Sequence, residues 1–306
     1  MLYDLTYDMV DTGQVDLSHT NLETLPHLPQ PLYKLNLRGN PLQSLGDEWN
    51  IRKLRWLDCS YCKLQRLPPL PDGLRYLDVS GNVDLDTFPP LPKRLKTLKC
   101  SQTSLTHIDE LPETMHYLEC SMNRTLASLP QRVHNLTKLD CSACSLTSLP
   151  SLSDTLRILL CQENKLRTLP NLPPLLETLG CDRNELSHLP PLPACLQILS
   201  CSENRLSTLP RIPCNMRYFE GAKNPWTLRF RQIMNSKAPL YFLNRWFKAL
   251  ETRDEAKSIA VLYKGLHGSI LQDDTLSHIA SFCTGKEGNV WIRMATLKGE
   301  FQRWDL

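Results

Sequence analysis

Twelve cysteines in 306 residues are the first groups to ask about chemistry. Two pairs, Cys59-Ser-Tyr-Cys62 and Cys141-Ser-Ala-Cys144, have the CxxC spacing that can hold a zinc ion. His107, His116, His134 and His188 could in principle join them or act as bases. No HExxH, no phosphate-binding loop and no GxSxG elbow occurs in the chain. Whether these thiols and imidazoles can meet depends on the elements that carry them.

Those elements are an internal repeat. One unit reads Leu179-Gly-Cys181-Asp-Arg-Asn184-Glu-Leu186-Ser-His-Leu189-Pro-Pro-Leu192-Pro. The second apolar residue of each LxC or LxL marks one rung. It falls at Leu17, Leu37, Cys59, Val79, Cys100, Cys120, Cys141, Cys161, Cys181, Cys201 and Gly221. The steps are 20, 22, 20, 21, 20, 21, 20, 20, 20 and 20 residues. The LxxLxLxxNxL pattern is that of leucine-rich repeats, whose units cannot bury their apolar edges alone and stack into a solenoid. Each marker sits at a short parallel strand, and ten steps at the strand spacing of about 4.8 Å make a solenoid ~48 Å long. The other side of each rung reads LPxLP, as at Leu67-Pro-Pro-Leu70-Pro71. Proline removes an amide donor and pushes its predecessor out of helical angles, so the convex back is expected to be extended and polyproline-like.

This frame decides the thiol chemistry. Seven cysteines occupy the marker position and follow a leucine two residues earlier, so strand alternation points them into the core as small hydrophobes. Cys62 and Cys144 occupy the slot that Asn164, Asn184 and Asn204 hold in other rungs. The two CxxC pairs are four rungs apart, about 19 Å at the strand spacing, too far to share one tetrahedral ion. The histidines fall in different rungs without a common face. The expectation is no metal, no cofactor and no enzymatic activity. Unpaired thiols in this number suit a reducing compartment.

The residues flanking the buried positions face the open concave side. Trp56, Tyr76 and Tyr117 form an aromatic column there beside an acidic column of Asp58, Asp78, Glu119 and Asp140, with Ile158, Leu160 and Ile198 as a smaller apolar patch further along. Tryptophan has no structural need to sit on an open concave surface, so these ten residues are the candidate protein-binding site. The acids favour a basic partner. Alternation leaves both Trp56 with Tyr76 and Asp58 with Asp78 unburied, so replacing either pair should spare the fold.

The composition changes near Pro225. Residues 1–222 hold 21 of the 23 prolines and a net charge of −2, whereas residues 223–306 carry +5 and four of the six tryptophans. We divide the chain into a solenoid of about eleven rungs over 1–226 and a helical capping or interaction domain over 227–306. In the latter, Leu240, Leu243, Phe247 and Leu250 have helical spacing. The expected fold class is an α/β solenoid: a parallel concave sheet, an extended back and a small α-helical C-terminal subdomain. A formal charge of +3, 41% hydrophobic and 22% charged residues exclude a disordered chain and do not suggest nucleic-acid binding. No apolar run is long enough for a membrane span. The acidic start, MLYDLTYDMVDTG, is unlike a secretory signal or transit peptide.

Twenty-residue units with LPxLP and LxxLxCxxN resemble the leucine-rich-repeat effectors that bacteria deliver into host cells by type III secretion, over roughly residues 12–226. Effectors delivered by type IV secretion use similar repeats. The resemblance implies a secreted, virulence-associated, protein-binding scaffold acting in the host cytoplasm on a host protein or another effector enzyme, with a monomer as the expected state. Many such effectors carry a catalytic ubiquitin-ligase domain with a cysteine followed two residues on by aspartate. Here Cys283 is followed by Thr284 and Gly285, and the tail is too short for that domain. Two alternatives remain open. One is an inhibitor that plugs another enzyme's active site, as ribonuclease-inhibitor-type repeats do. The other is an F-box-like ubiquitin-ligase adaptor over 271–306, where Leu271-Gln-Asp-Asp-Thr-Leu276-Ser-His-Ile279-Ala-Ser-Phe282 is similar to an F-box opening.

Overall fold

A computed structural model describes residues 13–46, 51–131, 135–210, 212–213 and 216–225. The expected helical domain at 227–306, including the F-box-like segment, lies outside the described residues.

The described residues form eleven strands of three residues each: β1 (Gln14–Asp16), β2 (Lys34–Asn36), β3 (Trp56–Asp58), β4 (Tyr76–Asp78), β5 (Thr97–Lys99), β6 (Tyr117–Glu119), β7 (Lys138–Asp140), β8 (Ile158–Leu160), β9 (Thr178–Gly180), β10 (Ile198–Ser200) and β11 (Tyr218–Glu220). They make one parallel sheet in chain order. Register follows the repeat: Leu57 lies opposite Leu77, and Leu77 opposite Leu98. The middle residue of every strand from β1 to β10 is buried, and so is the marker just beyond the strand. This is period-two alternation with one apolar side, repeated once per rung.

Two devices turn the chain after each marker. The first is a left-handed residue two positions on. Tyr61, Gln102, Ala143, Glu163, Arg183, Glu203 and Lys223 all have φ between 52° and 57°. Gly39 and Gly81 take this place where a side chain would collide: a Cβ would lie 2.4 Å from the His19 ring or 2.7 Å from the Tyr61 ring. The second is an asparagine ladder. Asn184 Nδ2 donates to the carbonyls of Cys161 at 2.9 Å and Cys181 at 3.1 Å, while its Oδ1 accepts from Leu166 N at 3.0 Å. Asn40, Asn82, Asn123, Asn164 and Asn204 repeat the arrangement, so each rung satisfies the buried backbone of its predecessor.

On the back, the second proline of LPxLP opens the turn into the next strand. The carbonyls of Pro71, Pro92, Pro112, Pro173 and Pro193 accept from the amide three residues on. Proline loses nothing there, because only its carbonyl is needed. No described residue between 13 and 224 is helical, in keeping with the extended back. The helical part of the expected α/β class therefore rests on the tail alone.

Ten cysteines are described, all as free thiols, and nine are buried; Cys195 is exposed. Cys62 Sγ donates to Leu37 O at 3.4 Å and Cys144 Sγ to Cys120 O at 3.2 Å, the bond that an asparagine amide makes in the same slot. The CxxC pairs are thus two rungs of the ladder with thiol in place of amide. Burial pushes the thiols of Cys59, Cys141 and Cys181 well above their ordinary value.

Candidate protein-binding face

Each strand offers its first and last residue to the open side of the sheet, and the residue after the marker extends that row. Trp56 and Tyr76 open β3 and β4, and pair in register. Their rings stack with centroids 4.9 Å apart and planes 10° from parallel. Lys34 Nζ covers the other face of Trp56, 4.7 Å from its centroid. Tyr117 opens β6, two strands beyond Tyr76, and is 47% exposed.

The acidic column differs from a row of solvated charges. Asp58 and Asp78 are 8% and 7% exposed, which corrects the expectation that this pair is unburied. Asp58 Oδ1 accepts from Ser60 N at 2.9 Å and Ser60 Oγ at 2.6 Å; Asp78 Oδ1 accepts from Ser80 N at 3.0 Å. These carboxylates tie off the strand ends, as Asp16 does for Ser18 and Asp140 for Ser142. Reversing them to lysine would break that turn and bury a mismatched charge. Burial pushes the Asp78 carboxyl above its ordinary value, and the neighbouring charge of Asp58 adds to this against the hydrogen bonds from Ser80.

Glu119 is different again. Burial opposes its ionisation, but hydrogen bonds from Lys138 and Lys99 prevail and hold it below its ordinary value. Lys99 interrupts the central column and Lys138 reaches Glu119 from the first position of β7, so the remaining carboxylates of the column are Asp58, Asp78 and Asp140. On the apolar side, Ile158 and Leu160 flank β8 and Ile198 opens β10, with Thr178 and Gly180 of β9 between them. Gln162 leans over Gly180, where a Cβ would stand 2.3 Å from its Nε2, and Ser142 Oγ holds Gln162 Oε1 at 2.7 Å.

Two features escaped sequence reasoning. Tyr61 lies along Gly81, half exposed, with the Arg38 guanidinium 4.6 Å over its ring. It forms a second aromatic rim across Asp58 and Asp78 from Trp56 and Tyr76. At the same position in the last rungs, Glu163, Arg183, Glu203 and Lys223 form an ion-pair ladder at 2.8, 3.5 and 2.9 Å. The alternation of sign at twenty-residue spacing was its signal in the sequence. No group of three metal-ligating side chains occurs among the described residues. No helix among them is long and apolar enough to cross a membrane.

No family model and no curated protein matches the chain. Among solved structures, YopM from Yersinia enterocolitica WA-314 is 34% identical with a TM-score of 0.66, over 69% of this chain and 46% of that one. This chain is a leucine-rich-repeat solenoid. The functional domain of InlJ from Listeria monocytogenes, which includes a cysteine ladder, shares the fold at 22% identity with a TM-score of 0.58, over 69% of this chain and 54% of that one. YopM from Yersinia pestis, described as a leucine-rich effector protein, is 22% identical with a TM-score of 0.44, over 71% and 86%. The leucine-rich-repeat chain thus spans less than half the length of the enterocolitica YopM it matches.

Proposed function

We propose that this leucine-rich-repeat chain is a non-enzymatic bacterial effector that acts in a host cytosol by capturing a protein on its open sheet face, around Trp56, Tyr76 and Tyr117. The carrying observation is the Trp56–Tyr76 stack. Two large rings preorganised on a rigid sheet offer contact area at small entropic cost, which is how binding hot spots are built. Asp58, Asp78 and Asp140 give the surroundings an acidic bias, and Ile158, Leu160 and Ile198 extend the footprint along the sheet. Residues 1–226 supply the scaffold and 227–306 cover its end, since a solenoid terminus needs a cap.

The test is capture from host-cell lysate with the full chain beside the Trp56→Ala, Tyr76→Ala double variant. Partners held by the wild type and lost by the double variant support the reading. Partners retained in full by a folded double variant overturn it. An enzyme inhibited by wild-type chain but not by the variant would make the captured partner a target of inhibition.

A further inference from the structure

The first strand positions of β3 to β6 read Trp56, Tyr76, Thr97 and Tyr117, all in register. Trp56 and Tyr76 stack at 4.9 Å, close to the spacing of adjacent parallel strands. Thr97 is too short to continue the stack, so a slot one strand wide opens above it between Tyr76 and Tyr117. A flat group in that slot would lie about 4.8 Å from each ring, inside the roughly 6 Å reach of a cation–π contact.

The chain itself shows what these ring faces take. Lys34 covers Trp56 at the far end of the stack, Arg38 covers Tyr61, and Arg55 stands 5.8 Å over Tyr33. Beside the slot, Asp78 is 7% exposed, and its Oδ2 receives a long 3.4 Å bond from the Tyr76 hydroxyl. Asp58 sits next to it in register. Lys99, which follows Asp78 in the central column, is held by Glu119 at 3.1 Å. In the central column of β3 to β7, Asp58, Asp78, Glu119 and Asp140 outnumber Lys99. A partner's aromatic ring would fill the slot but bring no cation to Asp78, which shares Lys99 with Glu119. An ammonium would compensate it without filling the space between two rings. A guanidinium is flat, charged and able to donate beside its own plane, so it does both.

We propose that the slot above Thr97 receives an arginine side chain of the protein partner, its guanidinium between the rings of Tyr76 and Tyr117 and paired with Asp78. This rests on the sheet face being the binding face.

The experiment titrates the full chain with acetyl-Gly-Arg-Gly-amide, following the Thr97 methyl resonance. Peptides with lysine or citrulline in place of arginine are the controls. A saturable shift is expected with arginine, and binding weaker by about tenfold with either control. Two variants follow. Thr97→Phe fills the slot. Asp78→Asn removes the charge but keeps the turn, because Asn36 Oδ1 accepts from Arg38 N at 3.1 Å in the equivalent place. Each should weaken arginine binding by about tenfold. If Thr97→Phe does not fold, Asp78→Asn alone decides. Equal binding of the citrulline peptide, unchanged binding by a folded variant, or no saturable shift at Thr97 overturns the slot. Those outcomes leave the sheet face standing, because it is judged separately by the Trp56 and Tyr76 double variant against an intact partner.

Discussion

The indole of Trp56 and the phenol ring of Tyr76, twenty residues apart in sequence, lie 10° from parallel on adjacent strands. Lys34 closes one end of this stack and the short side chain of Thr97 leaves the other end open. Tyr76 ties the pair to one carboxylate beside it, since its hydroxyl reaches Asp78 Oδ2 at 3.4 Å.

Removing both rings should damage binding and spare the fold. Trp56→Ala with Tyr76→Ala should raise the off-rate and cost about 2–4 kcal/mol of affinity if the rings are the hot spot. The neighbouring Leu57 and Leu77 remain fully buried, so circular dichroism and melting should change little. Surface plasmon resonance with a captured partner measures the first, thermal melts the second.

Asp78 should reveal itself through pH. Its folded-state carboxyl lies above the ordinary 3.8, so the ionised form costs stability once pH exceeds both values. Below 3.8 the group is protonated in folded and unfolded chains alike, and the cost disappears. Asp78→Asn, which keeps an acceptor for Ser80 N, should therefore gain more relative to wild type at neutral pH than in acid. Glu119→Gln should do the opposite. The lowered Glu119 carboxyl contributes stability that is present above 4.5 and lost as pH falls through its folded value. Urea unfolding of the three proteins at neutral and acidic pH compares them directly; a larger gain for Asp78→Asn in acid would contradict the assignment.

The asparagine ladder sets the next expectation. Asn184→Ala leaves the Leu166 amide without its side-chain partner and the Cys161 and Cys181 carbonyls with one asparagine donor, from Asn164 and Asn204, instead of two, at about 1–3 kcal/mol. Cys144→Asn should be tolerated or stabilising, since the slot already positions a donor toward Cys120 O and amide is the group that other rungs use. Chemical denaturation of each single variant is sufficient.

Thiol labelling tests the cysteine column. Among the ten described cysteines a bulky reagent should modify Cys195 first in the folded protein, and the other nine only on unfolding. Peptide mapping by mass spectrometry distinguishes these sites from Cys214 and Cys283. Cys161→Ala, at a fully buried marker, should cost about 1–2 kcal/mol through a small cavity.

Much of the fold was legible from the chain alone. The twenty-residue period, the strand at each marker, the inward column from Cys59 to Cys201, the polar slot at Asn164, Asn184 and Asn204 and the helix-free back follow from local spacing and from proline chemistry. Such information is linear: strand alternation assigns a side without reference to any neighbour, and stacking then applies the same assignment to every rung. What tertiary structure decided lies between rungs. Alternation placed Asp58 and Asp78 on the open side, yet both are nearly buried, because Ser60 and Ser80 draw them into the strand-end turns and the Tyr76 hydroxyl reaches over to Asp78. Tyr61 became a rim residue because the left-handed turn lays its ring along Gly81, where no Cβ stands in the way. The ladder from Glu163 to Lys223 formed because register brings side chains twenty residues apart within ion-pair reach. Each of these depends on a rotamer chosen against the next strand, a choice made only once the sheet has assembled.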